Sequence, residues 1–365
     1  MAKDLGTIWD LEPHTAAKHA ILRRYLQAWI PILSSAHEHV IYIDGFAGPG
    51  VYRGGADGSP VIALKSALAH SSRVRGEMEF LFVELDTQRK ESLERCIAAM
   101  ALPANFRVRV RLDRCDEVVS KLLDDLDASG ESLSPTFAFL DPFGFSHTPL
   151  ALVKRLMSHK RCEVLITFMY EEINRFLTQG QIPQHFDALF GCPQWRSAQL
   201  LADSGHRRAF LRDLYRSQLE RDAAITYVRS FEMFNRHNQT DYFLFFGTKS
   251  IDGLRKMKEA MWKVDDSGTF SFSDATDPNQ STLFDGGPDV GDLQRRILAE
   301  FRGRRATVED IEQFVVVQTP YRETHFKRQV LVPMEKASPP ELEVLSAPPG
   351  RKKGAFPAGT VLRFL

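Results

Sequence analysis

Carboxylates stand at the ends of four short apolar runs: Asp44 in YIDGFAGPG, Glu84 in FVELD, Asp113 and Asp116 in RLDRCDEV, and Asp141 in FLDPFGF. In an open α/β sheet, ligands sit at the carboxyl ends of the strands, so acids at those tips point to recognition of a polar ligand. Glu84 is the candidate for accepting both hydroxyls of a ribose. Asp113 or Asp116 could meet an adenine amino group, and Asp116 is equally suited to starting a helix. Gly45, Gly48 and Gly50 let the chain after Asp44 turn sharply and approach a ligand closely. Their spacing is not the GxGxxG of pyrophosphate sites. Asp141 is followed by Pro142, which fixes the backbone. A side-chain oxygen and main-chain carbonyls held there can hydrogen-bond a planar amine and aim its lone pair at an electrophile. Phe143 or Phe145 could stack on a base.

Such tips need a sheet behind them, and the pattern supplies one. Helical spacing of Ala17, Ile21, Tyr25, Leu26 and Trp29 predicts a helix over 14–35, with Thr15 as its N-cap. Strands are predicted at 39–46, 79–84, 107–112, 136–141 and 163–169. They alternate with helices at 58–70, 86–100, 116–128 and 149–158. Short apolar strands alternating with helices predict a mostly parallel sheet covered on both faces. After a mixed helical region, strands at 225–234 and 241–248 are close enough to pair antiparallel and close the far edge, followed by a helix at 251–264.

Residues 265–293 carry seven Asp, no Lys or Arg, and many Gly, Ser and Pro, the composition of an acidic flexible linker. Beyond it, TVEDIEQFVVVQ reads as a helix capped by Thr307 and PYRETHFKRQVLVPMEK as a second helix. LEVLSAPPGRKKGAFPAGTVLRF then reads as two strands around a basic tip. That order predicts a winged-helix-like module. The expected organisation is a Rossmann-like domain at 1–264, the linker at 265–293 and the winged-helix-like domain at 294–365. Residues 294–365 hold 13 Lys and Arg against 8 Asp and Glu, a net +5. Arg351, Lys352 and Lys353 at the tip are candidate nucleic-acid contacts.

The whole chain balances 47 basic against 47 acidic side chains, which excludes a global field drawing it onto nucleic acid or membrane. Cys96, Cys115, Cys162 and Cys192 form no CxxC pair, and the histidines show no ligand spacing, so no metal is expected. With no apolar leader and no run of about 18 apolar residues, the expectation is a soluble cytoplasmic protein without a membrane partner. The MKEAMW residues are expected in the core. FMYEEINRF, after the fifth strand, could place Tyr170, Glu171, Glu172 and Asn174 over the site, and HRRAFLR is a second basic cluster.

The four tips in order resemble the nucleoside-binding and catalytic edge of class I S-adenosylmethionine-dependent methyltransferases. More closely, YIDGFAGPG, GSPVIAL, FVELD, LDPFGF, MKEAMWKVD and GAFPAGTVLRF together resemble the three-Cys-motif partner proteins. That family is bacterial, methyltransferase-like and usually encoded beside a three-cysteine radical-type protein. DPFGF is also similar to the Asp-Pro-Phe-Gly motif of tRNA guanine-N2 dimethyltransferases, and departs from the Asp-Pro-Pro-aromatic pattern of adenine-N6 and cytosine-N4 enzymes. The glycine turn resembles the Asp-x-x-Ala-Gly-x-Gly segment of ribosomal-RNA adenine methyltransferases. The resemblance implies S-adenosylmethionine as cofactor. It puts Asp44, Gly45, Phe46, Ala47, Gly48 and Gly50 around the methionine part, Glu84 on the ribose, Asp113 or Asp116 on the adenine, and Asp141, Pro142 and Phe143 at the acceptor. The implied reaction is methyl transfer to an amine, on a nucleobase of RNA or DNA, beside a three-cysteine protein partner. The alternatives are a non-catalytic adaptor that keeps the fold, and transfer of another group of the cofactor or to a small-molecule acceptor.

Overall fold

The computed structural model describes residues 6–179, 182–266, 269–274 and 287–365. Among these, no helix is long and apolar enough to cross a membrane. The described residues divide into two compact units. One contains residues up to 253 together with 272–274, and the other contains 254–266, 269–271 and 287–365.

The first unit begins with α1 (Pro13–Ala36). Pro13 occupies the first helical turn, where its missing N–H costs nothing, so the helix starts earlier than predicted. Glu12, not Thr15, is the N-cap residue, and its side chain makes no capping bond. Ile21, Leu22, Tyr25, Leu26, Trp29 and Ile30 are buried, each stabilising the fold by about 1.5–3 kcal/mol. The alternating series follows: β1 (His39–Asp44), α2 (Ser59–Leu68), β2 (Glu77–Glu84), α3 (Thr87–Ala98), β3 (Phe106–Leu112), α4 (Cys115–Ser129), β4 (Thr136–Leu140), α5 (Leu150–Ser158) and β5 (Cys162–Phe168). The mixed region resolves into α6 (Tyr170–Gln179), α7 (Pro183–Phe190) and α8 (Ser204–Arg221). Then come β6 (Tyr227–Phe234), β7 (Thr240–Thr248), α9 (Ile251–Trp262) and the three-residue β8 (Ser271–Ser273).

The sheet runs β3-β2-β1-β4-β5-β7-β6-β8. β1 to β5 are parallel, and β7 is antiparallel to both β5 and β6. That order and direction are those of the class I methyltransferase sheet. β4 and β5 are buried along their whole length, which is why they read as continuous apolar runs rather than alternating ones. Order reverses between β1 and β4, so the crevice falls at the ends of the strands that carry Asp44 and Asp141.

The boundary between units falls inside α9, not in the expected linker. Part of that linker, 267–268 and 275–286, lies outside the described residues. Its remainder includes β8 and the start of a helix that sequence reading missed, α10 (Val290–Phe301), capped by Asp289 and burying Leu293 and Ile297. After it come β9 (Arg305–Thr307), α11 (Val308–Gln318), α12 (Glu323–Phe326), α13 (Val332–Lys336), β10 (Leu342–Ser346) and β11 (Val361–Phe364). α12 and α13 are joined by one π-turn, so they act as the single second helix of the sequence reading. Thr307 caps α11 in a capping box with Asp310, as its sequence predicts. β11 lies at the centre of a three-stranded antiparallel sheet, between β10 and β9.

The C-terminal unit is held by a buried cation. Lys258 of α9 is 1% exposed and donates to the carbonyls of Val315, Val316 and Thr319 at 2.9–3.0 Å, and to that of Tyr321. Val315 and Val316 lie in the last turn of α11, whose final carbonyls have no partner within the helix, and Thr319 and Tyr321 follow it, so one ammonium ties the helix end to the chain beyond it. Met257, Met261 and Trp262 are buried beside it, the core role expected of MKEAMW.

Candidate cofactor and acceptor site

The turn after β1 is locked to both neighbouring strands. The N–H of Gly45 donates to Phe139 O at 2.9 Å, and that of Ala47 to Val83 O at 2.8 Å. A Cβ on Gly45 would lie 2.5 Å from Cys115 Sγ, and Gly50 holds a φ of +80°, so both positions require glycine. Glu84, 6% exposed, accepts from Gly48 N at 2.8 Å through Oε2, and from Leu85 N and Asp86 N through Oε1. A carboxylate has about four lone-pair sites and three are taken by these N–H groups, so capacity for about one hydroxyl remains.

A cavity of about 220 Å³ opens over this edge, lined among others by Gly45, Phe46, Glu84, Asp113, Cys115 and Phe143. The two aspartates left open by the sequence part here. Asp113 is exposed and lines the cavity, whereas Asp116 sits in the first turn of α4, paired with Arg114 at 2.9–3.1 Å. Burial pushes the Cys115 thiol up to about 12, leaving a neutral wall. A second cavity, of about 30 Å³, is bounded by Ala47, Gly48, Gly50, Ser59, Asp141 and Phe143, with His19 and Trp9 beside them. Phe46 and Phe143 belong to both cavities, so the two form one site divided by aromatic rings.

Phe143 is 53% exposed, while Phe145 is buried with its ring 4.9 Å from that of Phe186. Phe143 is thus the ring available to a ligand. Trp9 packs edge-on against it at 5.5 Å, and the Arg89 guanidinium lies over both rings at 5.0 and 5.5 Å. Asp44 lines neither cavity. It is fully buried beneath the turn, accepting from Phe46 N at 3.2 Å, and burial raises its pKa to about 7 against the opposing bonds from Ser59 and Phe46. Its role here is to hold the turn rather than to touch the space above it.

Asp141 brings the main surprise. Both its oxygens accept from Lys18 Nζ, at 2.7 and 2.5 Å, and that ammonium also lies 5.0 Å over the Tyr242 ring. Lys18 is 5% exposed. One turn earlier on α1, His14 contacts Glu12, Asp241 and Asp274 at 2.7–3.3 Å. Burial would lower the His14 pKa, but these acids raise it overall. Sequence reading missed this polar face of α1. Its signal was present: His14 and Lys18 interrupt the apolar stripe of Ala17, Ile21 and Tyr25 at helical spacing.

The other sequence candidates are engaged in local structure. Tyr170 donates to Ser204 O at 3.4 Å, Asn174 accepts from Arg207, and Glu172 pairs with Arg175. In HRRAFLR, Arg207 caps backbone carbonyls, Arg208 bonds Thr240 and Arg212 pairs with Asp213. In the C-terminal unit Arg351 folds inward, bonding Glu335 at 2.6 Å and Ala355 O at 2.7 Å, so the exposed cations of that tip are Lys352 and Lys353. Among the described residues, the group able to share a cation by distance, His39 with Glu77 and Glu79, already pairs its glutamates with Arg107 and Arg109.

Residues 271–346 match the GMT-like wHTH domain family. None of the curated proteins matches the chain. Among solved structures, the chain is similar to Trm1 from Pyrococcus horikoshii in complex with S-adenosyl-L-methionine. That likeness has 15% identity and a TM-score of 0.36 and covers 69% of this chain, which spans only 58% of that protein. It is also similar to an O-methyltransferase from Bacillus cereus in complex with SAH, at 13% identity and a TM-score of 0.34, covering 62% of this chain and 80% of the other. A putative O-methyltransferase from Klebsiella pneumoniae stands at 10% identity and 0.33, with coverage of 62% and 80%.

Proposed function

We propose that this chain is an S-adenosylmethionine-dependent methyltransferase acting on an amine nitrogen, on a nucleobase of RNA or DNA. The observation that carries the reading is the joining of Glu84 to Gly48 at the mouth of a divided cavity with Asp141 on its far side. The residues fit the cofactor. Glu84 has remaining acceptor capacity for about one ribose hydroxyl, Asp113 can take an adenine amine, Cys115 and Phe143 give flat apolar walls, and the glycine turn leaves room for a backbone-lined chain. When bound, the cofactor supplies a methyl group on a sulfonium. The protein's part is orientation: Phe143 stacks the acceptor ring, and Asp141 with the carbonyls near Pro142 accepts its amine hydrogens.

Lys352 and Lys353 would add contacts to phosphates, and the partner would be a three-cysteine radical-type protein. The closed acceptor side favours a second reading. With Asp141 paired to Lys18 and about 30 Å³ beside it, the chain could keep the cofactor cradle and serve as an adaptor.

Calorimetric titration with S-adenosylmethionine and S-adenosylhomocysteine tests the cradle. Glu84→Ala should weaken binding by about 1–3 kcal/mol, the range of a lost charge-assisted hydrogen bond. Absence of binding to either would refute the cofactor assignment. Transfer of tritiated methyl to bulk RNA or DNA separates enzyme from adaptor.

A further inference from the structure

The histidine beside Lys18 has no role in the site as described so far. His19 is 6% exposed, and its Nδ1 is buried without a hydrogen-bond partner among the described residues. A buried polar atom left unpaired is costly and rare, and where it borders a cavity it points to something that fills the cavity. His19 lines the small cavity together with Asp141, Ser59 and Phe143. It also lines a separate open cavity of about 420 Å³, bounded by Leu11, Ala16, Arg23, Arg24 and Asp57. His19 therefore borders both the acceptor space and an outer, open space.

Methylating an amine creates a proton that must leave. The new N–C bond forms as the S–C bond breaks, and the bonding pair of that S–C bond returns to sulfur. The nitrogen, now carrying the positive charge, loses one hydrogen as a proton. Asp141 is poorly suited to take it, because both its oxygens are held by the Lys18 ammonium. Asp44 is fully buried beneath the turn and lines neither cavity. Glu84 lies in the other cavity with its oxygens on backbone N–H groups. His19 is the remaining basic group on the wall of the acceptor space.

We propose that His19 is a catalytic residue of the transfer: in its Nε2–H tautomer, bare Nδ1 accepts the proton from the methylated amine, and the ring releases a proton toward the outer cavity. This rests on the amine-methylation reading. Burial and the neighbouring Lys18 cation lower the His19 pKa to about 3, so the ring is neutral and its lone pair free at physiological pH. A base that weak still suffices, because an aromatic amine carrying the extra positive charge is a stronger acid. It also regenerates readily, since the imidazolium gives up its proton quickly.

His19→Asn keeps a polar group near the Nδ1 position but cannot carry a proton. Single-turnover transfer of tritiated methyl to bulk RNA should fall about 100-fold or more, with S-adenosylhomocysteine affinity within about twofold of the parent. The residual rate should rise with buffer base concentration, and imidazole should restore His19→Ala, effects that a structural role would not produce. Nitrogen NMR of the S-adenosylhomocysteine complex should show unprotonated Nδ1 from pH 8 to pH 5. A His19→Asn rate within about threefold of the parent, or an Nδ1–H tautomer at pH 7, overturns the assignment even if His19→Ala fails to fold. Loss of cofactor binding or of all transfer in the parent protein instead sinks the methyltransferase reading, and this proposal with it.

Discussion

Replacing Asp44 with Asn should make the protein more stable above neutral pH. Asp44 is fully buried, and burial raises its pKa from the ordinary 3.8 to about 7. A carboxyl with a raised folded-state pKa contributes stability that is complete below the unfolded value, near 3.8, and lost as pH rises through about 7. The gap of about 3 units, at 1.36 kcal/mol each, corresponds to about 4 kcal/mol lost by the parent between pH 4 and pH 8. Asn cannot ionise, and its Oδ1 can still accept from Phe46 N. Asp44→Asn should therefore match the parent, or fall slightly below it, at pH 4.5 and exceed it by about 2–4 kcal/mol at pH 8.5. Urea unfolding of both proteins at half-unit intervals gives the difference curve, from which the contribution of every other titrating group cancels. A difference independent of pH would refute the reasoning.

Three further outcomes follow from contacts described above. Gly50→Ala places a Cβ 2.9 Å from Leu93 Cδ1 at a φ of +80°, and should cost about 1–3 kcal/mol in thermal or urea unfolding. Lys18→Met leaves the Asp141 carboxylate without its cation and should destabilise by about 3–5 kcal/mol, while adding Asp141→Asn should recover most of that loss, a coupling measurable in a double-mutant cycle. Glu335→Ala removes the partner of Arg351 and Gly354 N, so amide hydrogens around 351–355 should exchange at least tenfold faster.

The strand tips were legible because parallel strands buried on both faces leave apolar runs, and such runs end where the chain meets solvent. β1 to β5 begin and end within two residues of their predicted limits. The side chains that govern Asp141 were not legible in the same way. Lys18 lies 123 positions away in sequence, and helical spacing in α1 identified which face is buried without saying what its polar members meet. Thr15 was misread as a cap because Ser, Thr, Asp and Asn dominate that position, whereas here Pro13 opens the helix. α10 was missed because it begins among the Asp and Gly residues of an acidic stretch and buries only Leu293 and Ile297. For Phe143 and Phe145, and for Asp113 and Asp116, sequence offered pairs, and the backbone decided which member borders the cavity.

The Lys258 anchor bears on how the C-terminal unit can be isolated. The stretch matched by the domain family, 271–346, begins after Lys258 and ends before β11. A fragment cut to those limits would leave the carbonyls of Val315, Val316, Thr319 and Tyr321 without their shared donor, and would strip the middle strand from its sheet. Such a piece should aggregate or remain molten. One running from before Ile251 to Leu365 keeps both the cation and the strand. The portion able to fold on its own should therefore be wider than its recognisable sequence signature, by most of α9 with Lys258, Met261 and Trp262 on one side and by β11 on the other.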